Sequence, residues 1–237
     1  MNETVYYAIG DVHGEDEKLA ELHAFIREDA QRLGAEPFFV HLGDLIDRGP
    51  DSRGVVARVM RVHEAAPDRA VTLKGNHEEM MMSAYDSHSA MAESTWGGNG
   101  GQAAVASYER VNGHHGDWRD AVDREHANFL RALPTLWRDE DRKLAFVHAG
   151  IDPPHFPDCS DELRLWTRSP KFFDPGRWPD REELEGLVVV HGHTPTKDFA
   201  PHLDRRRINV DTGACFGGPL TAVVLAPDEK PRFLYAR

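Results

Sequence analysis

The sequence has little cysteine. Among 237 residues there are two, Cys159 and Cys215. That excludes a disulfide framework and points to a reducing compartment, so a cytoplasmic location is expected. Long apolar runs are also missing, and none approaches the roughly 18 residues of a membrane span. Basic charge is in deficit: Lys plus Arg is 28, Asp plus Glu is 40, and the formal net charge is −12. That balance suits neither a binder of nucleic-acid backbones nor a protein held electrostatically on anionic lipid. A strand-like run starts near residue 4, with no basic stretch and long apolar core before it, so no targeting peptide is expected. Repeats and low-complexity tracts are absent. The composition left is ordinary for a globular chain, 40% hydrophobic and 29% charged, and the length suits one domain over residues 1–237 with a real core.

Histidine is abundant, with 14 copies, and several end short apolar runs in the same way. Val5–Ile9 leads into Gly10-Asp11-Val12-His13-Gly14. Phe38–Leu42 leads into Gly43-Asp44. Ala70–Leu73 leads into Lys74-Gly75-Asn76-His77. Leu144–Val147 leads into His148-Ala149-Gly150, and Leu187–Val190 into His191-Gly192-His193. Runs of this length and composition predict buried strands. Between the first three, Leu19, Leu22, Phe25, Ile26 and Leu33 recur at helical spacing, as do Val55, Val56, Val59, Met60 and Val62 before Pro67. The alternation predicts βαβ units around a largely parallel sheet, with ligands beyond the carboxyl ends of its strands. The five loops would gather along one edge of that sheet. Residues from about Glu78 to Arg138 read as a helical insertion over the sheet, with Trp96–Gly101 as a loop at the rim of a cleft. Asp152–Pro179 reads as a long surface loop. Ile208–Asp211, Leu220–Leu225 and Arg232–Tyr235 read as short strands.

Asp11, His13, Asp44, Asn76, His148 and His193 together offer carboxylate, amide and imidazole donors and no thiolate. Such donors suit manganese, iron or zinc. Six exceed one tetrahedral zinc site and suit two ions about 3.5–4 Å apart that share a carboxylate and a water. Asp44, on the middle strand, is the candidate for the shared carboxylate. A lone Gly-Asp or Gly-His is ordinary turn chemistry. The reading rests on five strand ends each offering a ligand.

Gly10-Asp11-Val12-His13-Gly14, Gly43-Asp44-Leu45-Ile46-Asp47-Arg48-Gly49 and Gly75-Asn76-His77-Glu78 resemble the three signature motifs of the PPP family of serine/threonine protein phosphatases, within the calcineurin-like metallophosphoesterases. His148-Ala149-Gly150 and Gly192-His193-Thr194 resemble its two later histidine motifs, and Val210-Asp211-Thr212-Gly213-Ala214 looks most like compact bacterial and phage members. The resemblance runs from residue 8 to about 218. It implies an α/β fold: a central β-sandwich flanked by helices (αββα), with the insertion added. It implies that Asp11, His13 and Asp44 hold one metal, and Asp44, Asn76, His148 and His193 a second, manganese first with iron or zinc as alternatives. His77 would be the general acid, Asp47 would orient it and raise the stability of its charged form, and Arg48 would clamp phosphate. Leu165-Trp166-Thr167-Arg168 is similar to a loop of compact members and makes Arg168 a second phosphate arginine. Spacing alone leaves both His191 and His193 open as ligands; the resemblance favours His193, which precedes Thr194. In one departure, Lys74 stands where many members have arginine, and lysine lacks the bidentate fork.

The resemblance implies hydrolysis of phosphomonoesters on phosphoproteins or phosphopeptides (phosphoserine or phosphothreonine, with phosphotyrosine also considered) by direct attack of a hydroxide bridging the metals. A diadenosine tetraphosphate hydrolase or a broad metallophosphoesterase shares the same motifs and is the alternative. The acidic charge leans towards phosphoproteins. A catalytically dead scaffold is disfavoured, because ligands, His77, Asp47 and Arg48 are all present. His114-His115 reads as solvated loop, His41 as packed, and His23, His63, His88 and His126 lack ligand spacing. Met80-Met81-Met82 and Cys215 read as core. The 97–101 glycines lack the following Lys-Ser/Thr of a phosphate-binding loop.

Overall fold

The apolar runs sort into two five-stranded sheets rather than one. A computed structural model describes residues 4–113 and 116–237; His114 and His115 lie outside the described residues. The first half runs β1 (Val5–Ile9), α1 (Asp16–Arg32), β2 (Pro37–His41), α2 (Ser52–Ala65) and β3 (Ala70–Thr72). Then come α3 (Asn76–Ser87), α4 (Ala90–Trp96), α5 (Gln102–Asn112) and α6 (Arg124–Ala132). The second half has β4 (Leu136–Asp139), β5 (Leu144–Val147), α7 (Asp161–Trp166), α8 (Pro170–Phe173) and β6 (Val188–His191). It closes with β7 (His202–Leu203), β8 (Arg207–Asn209), β9 (Leu220–Leu225) and β10 (Arg232–Ala236).

The first sheet has the order β10-β9-β1-β2-β3, and the second β4-β5-β6-β8-β7. β1, β2 and β3 are parallel, as the strand–helix alternation predicts, while β9 pairs antiparallel with both β1 and the edge strand β10. β5, β6 and β8 are parallel in the second sheet. Side chains alternate across each strand. Val5, Tyr7 and Ile9 join Leu19, Leu22, Val55 and Val59 beneath the helices. Tyr6 and Ala8 point the other way, into the layer between the sheets with Phe146, Val190 and Val223. Ala145, Val147 and Val189 face outward onto Phe156, Phe172, Trp178 and Leu184. Both faces of both sheets are covered, which is why the strands read as unbroken apolar runs. Each fully buried Leu, Ile or Phe in these layers contributes about 1.5–3 kcal/mol relative to exposure.

Three regions differ from expectation. The Trp96–Gly101 segment is only in part a loop: Trp96 ends α4, and the chain kinks at Gly100 (φ 103°) before entering α5. The insertion packs into the same core as α1 and α2 through Met80, Met81, Trp96, Tyr108 and Leu130, but its last residues form β4 of the second sheet. The Asp152–Pro179 stretch is no surface loop. It supplies Phe156, Phe172 and Trp178 to the outer cover of the second sheet. Its helices have 6 and 4 residues, each capped by a serine (Ser160, Ser169), and are too short to show a helical period. No helix among the described residues is long and apolar enough to cross a membrane.

Candidate active site

The carboxyl ends of β1, β2 and β3 meet those of β5 and β6 across the sandwich. The five loops therefore come from two sheets and do not line one edge of one sheet. Hydrogen bonds tie the loops together. Val12 N and His13 N donate to Asp44 O at 3.0 and 2.8 Å. His193 N donates to both Asp11 carboxylate oxygens at 3.1 Å, and Gly192 N to His148 O at 2.8 Å. Close approach demands glycine at two of these positions. A Cβ on Gly75 would lie 2.1 Å from Asp44 Oδ1, and one on Gly192 would lie 2.0 Å from Asp11 Oδ1.

The backbone here is held in conformations that side-chain-bearing residues avoid. His13, Asp44, Asp47, Arg48 and His193 all have positive φ, from 45° to 72°. Each such residue costs of order 1 kcal/mol or more and persists only where its surroundings over-determine it. Glu78 is part of what determines it. Its buried carboxylate accepts from Gly75 N at 2.7 Å, Leu45 N at 2.8 Å and Asp44 N at 2.9 Å, fastening the β3 loop to the β2 loop. Spacing gives Glu78 no task beyond its place in Gly75-Asn76-His77-Glu78.

Two groups bring donor atoms within 4.8 Å of one another: His13, Asp44 and His77, and Asp44, His148 and His193. Asp44 belongs to both. Its Oδ2 faces His13 Nε2 at 3.5 Å and its Oδ1 faces His148 Nε2 at 3.4 Å. Asn76 Oδ1 lies 3.0 Å from His148 Nε2 and 2.9 Å from His193 Nδ1. Asp11 is in neither triplet but is buried beside His193 N. Tautomers follow from the backbone. His13 Nδ1 meets Ile46 O at 2.9 Å and His148 Nδ1 meets Leu42 O at 3.0 Å. Each Nδ1 therefore carries a proton, so that in the neutral ring the Nε2 lone pair is the one left for a cation. His191 faces away: its Nε2 meets Arg207 and its ring packs edge-on against Phe172.

Charge tests whether cations fit. Burial and the neighbouring Asp211 push the Asp11 carboxyl well up. Burial, with Asp44 nearby, pushes Asp211 up to about 6. Asp211 Oδ2 is buried without a hydrogen-bond partner. Burial alone would depress His148, yet Asp44 and Asp11 push it up to about 10. Crowded buried carboxylates, an orphaned oxygen and an imidazole holding a proton in their place are what bound cations would relieve, with release of that proton. The residues fit a dinuclear divalent metal site. In the sequence nothing but its place in Val210-Asp211-Thr212-Gly213-Ala214 marks Asp211.

The acid–base pair is adjacent. His77 Nδ1 lies 2.6 Å from Asp47 Oδ2. Burial opposes protonation of His77, but Asp44 and Asp47 overcome it and raise its pKa. Asp47 is held in turn by Trp96 Nε1 at 2.9 Å, a partner 49 residues away that no spacing rule could find. Arg48 lies 2.7 Å from His13 Nε2 and 2.9 Å from His77 Nε2. Its backbone N donates to Gly100 O at 3.2 Å, so the glycine turn does border the site. Arg168 Nε donates to His193 Nε2 at 3.3 Å. Lys74 pairs with Glu79 at 3.3 Å. Cys215 is half-buried beside Arg48 rather than in the core; burial pushes its thiol up to about 11, which rules it out as a nucleophile at neutral pH.

The chain is similar to known proteins. The family model described as calcineurin-like phosphoesterase matches residues 5–221. A curated relative from Anoxybacillus flavithermus, the asymmetrical bis(5'-nucleosyl)-tetraphosphatase PrpE, is 26% identical over 92% of this chain and 89% of its own length. A solved structure titled a putative diadenosine tetraphosphatase superposes with a TM-score of 0.66 at 20% identity, covering 99% of this chain and 95% of that one. A Saccharomyces cerevisiae protein serine/threonine phosphatase superposes at 0.61 with 12% identity, covering 100% of this chain and 81% of that one. At those identities the two structures speak for the fold alone.

Proposed function

The chain belongs to the calcineurin-like phosphoesterase family and is a metallophosphoesterase hydrolase, and from that premise we propose that it cleaves dinucleoside tetraphosphates asymmetrically. Water would be added across one phosphoanhydride to give a nucleoside triphosphate and a nucleoside monophosphate. The observation that carries this is a guanidinium group at each of the two ligand groups that share Asp44: Arg48 at His13 and His77, and Arg168 at His193. Two such groups, one at each ligand group, can engage successive phosphates of a chain. The curated name of the relatives supports the same reading.

Asp11, His13 and Asp44 would hold one divalent cation, and Asp44, Asn76, His148 and His193 a second, with manganese the proposed species. The cations would supply Lewis acidity, activating water and neutralising phosphoryl oxygens. The chain does the rest. Arg48 and Arg168 orient the phosphates by paired N–H donors. His77, whose pKa Asp44 and Asp47 raise, would give a proton from Nε2 to the leaving oxygen once the Arg48 guanidinium that meets that nitrogen has turned to the phosphates. Hydrolysis of phosphoproteins is the second reading, favoured by that same His77–Asp47 pair, since an alkoxide needs a proton more than a phosphate does.

The test is a side-by-side assay with manganese on diadenosine tetraphosphate, a phosphoserine peptide and a phosphotyrosine peptide, with and without chelator. The expected result is chelator-sensitive formation of ATP and AMP. Phosphate release from the peptides without dinucleotide turnover would transfer the assignment to phosphoproteins.

A further inference from the structure

Two large exposed side chains stand at this site, each beside one of the two arginines. Phe216 is 56% exposed, and Arg48 Cζ lies 5.5 Å from its ring centroid. Trp166 is 42% exposed and edge-on to the His193 ring at 6.3 Å; it precedes Arg168 by two residues. Single exposed apolar residues are common and carry no meaning alone. Here each adjoins a different one of the two ligand groups that share Asp44: Phe216 through Arg48, which meets His13 and His77, and Trp166 through His193.

Both are fixed by their surroundings. Phe216 closes the short turn Ala214–Phe216, set between Gly213 (φ 68°) and Gly217 (φ 90°). Lys18 Nζ donates to Ala214 O at 2.7 Å and to Gly218 O at 3.0 Å, clamping that turn to α1. Trp166 ends α7, and Ala149 N, next to His148, donates to Arg164 O at 2.8 Å in the same helix. Flat, exposed rings carried on a backbone held this firmly lose little freedom on binding, which suits them to stacking.

We propose that Phe216 and Trp166 are stacking platforms for the two aromatic bases of a ligand whose phosphates span Asp44. The inference rests on the dinucleotide reading above and adds what would recognise the ends of the molecule. Stacking tolerates any base, because every base has a π-face. The site would therefore favour two nucleosides without choosing strongly between adenine and guanine.

The test is calorimetric binding of ATP and of inorganic tripolyphosphate to the protein at saturating manganese. ATP should bind about tenfold more tightly than tripolyphosphate, the scale of one stacked base. Because ATP carries one base and uses one ring at a time, Phe216→Ala or Trp166→Ala alone should lower that ratio about twofold if the rings serve equally, and the double variant should bring it close to one. Phe216→Tyr should restore the ratio and Phe216→Leu should not, which separates stacking from loss of the turn. Equal binding of the two ligands by the unaltered protein would overturn the platforms even if dinucleotides were hydrolysed. A ratio that depends on both rings, in a protein that turns over only phosphopeptides, would instead overturn the proposed function and leave the platforms standing.

Discussion

Two sets of buried histidines lie close together along β2 and behave in opposite ways. At the end of the strand, His41 meets His23 at 3.0 Å and Thr72 at 3.3 Å, and Thr72 meets His63 at 2.9 Å. Burial depresses His23 to about 2 and His41 to about 3. The charges acting on His23 are Arg27, Arg58 and His41, so nothing there favours the imidazolium. Three residues further on, Asp44 faces His13, His77 and His148, and His148 is pushed up to about 10 against its burial. His41 sits in regular strand, whereas His13 and Asp44 have left-handed backbone. A buried, hydrogen-bonded histidine is thus no signature of a site. A buried carboxylate beside it, on a backbone the protein must force, is the distinguishing feature.

Removing the carboxylate should break the contrast most severely. Asp44→Asn keeps the shape and loses the charge shared by both ligand groups. Turnover should fall by well more than the 10–100-fold that follows loss of a partner outside a ligand set. Manganese retained per chain, measured by elemental analysis, should fall with it; near-normal turnover with two metals bound would sink the shared-carboxylate assignment. The next effect is on the acid. His77→Asn should cost about 10²–10⁴-fold in turnover of a phosphoserine peptide and much less with p-nitrophenyl phosphate, whose leaving group hardly needs a proton. Equal losses on both substrates would argue against proton donation by His77.

The smallest effect should come from the other histidine set. His23→Gln should leave turnover per folded molecule unchanged and alter only the pH dependence of stability. In the unfolded chain His23 and His41 take up protons below their ordinary value of 6.5, while in the fold they stay neutral until about 2 and 3. The unfolded state therefore binds more protons in that window, and stability falls as pH drops from 6.5 towards 4. Each imidazole contributes a slope of about 1.4 kcal/mol per pH unit once well below 6.5. Urea unfolding of the metal-free protein at pH 7, 5 and 4 should show a shallower decline in the variant. An unchanged decline would mean that His23 is not held neutral.

Much of the site could be read from the chain because metal-ligand chemistry uses local turns. Asp11 and His13, or Asn76 and His77, are brought together by a few residues of loop after a strand, so spacing alone announces them. Spacing could not choose between His191 and His193. The packing of His191 against Phe172 and Arg207, and of His193 against Asn76 and His148, separates their surroundings. Trp96 escaped notice because its partner Asp47 is distant in the chain. Asp211 and Glu78 escaped because their tasks consist of what they face: another carboxylate in one case, and three backbone N–H groups in the other.

The sequence by itself determined the strand–loop units, the donor types at their ends and the two helices that link the first three strands, since each depends on residues within about 15 positions of one another. Only the tertiary structure decided that β5 and β6 belong to a second sheet, that Asp152–Pro179 covers that sheet, and that Phe216 and Trp166 flank the arginines. Strands buried on both faces look alike whichever neighbour they pair with. Pairing, covering and flanking are long-range choices, settled by which apolar faces can be buried together and not by the pattern within any one segment.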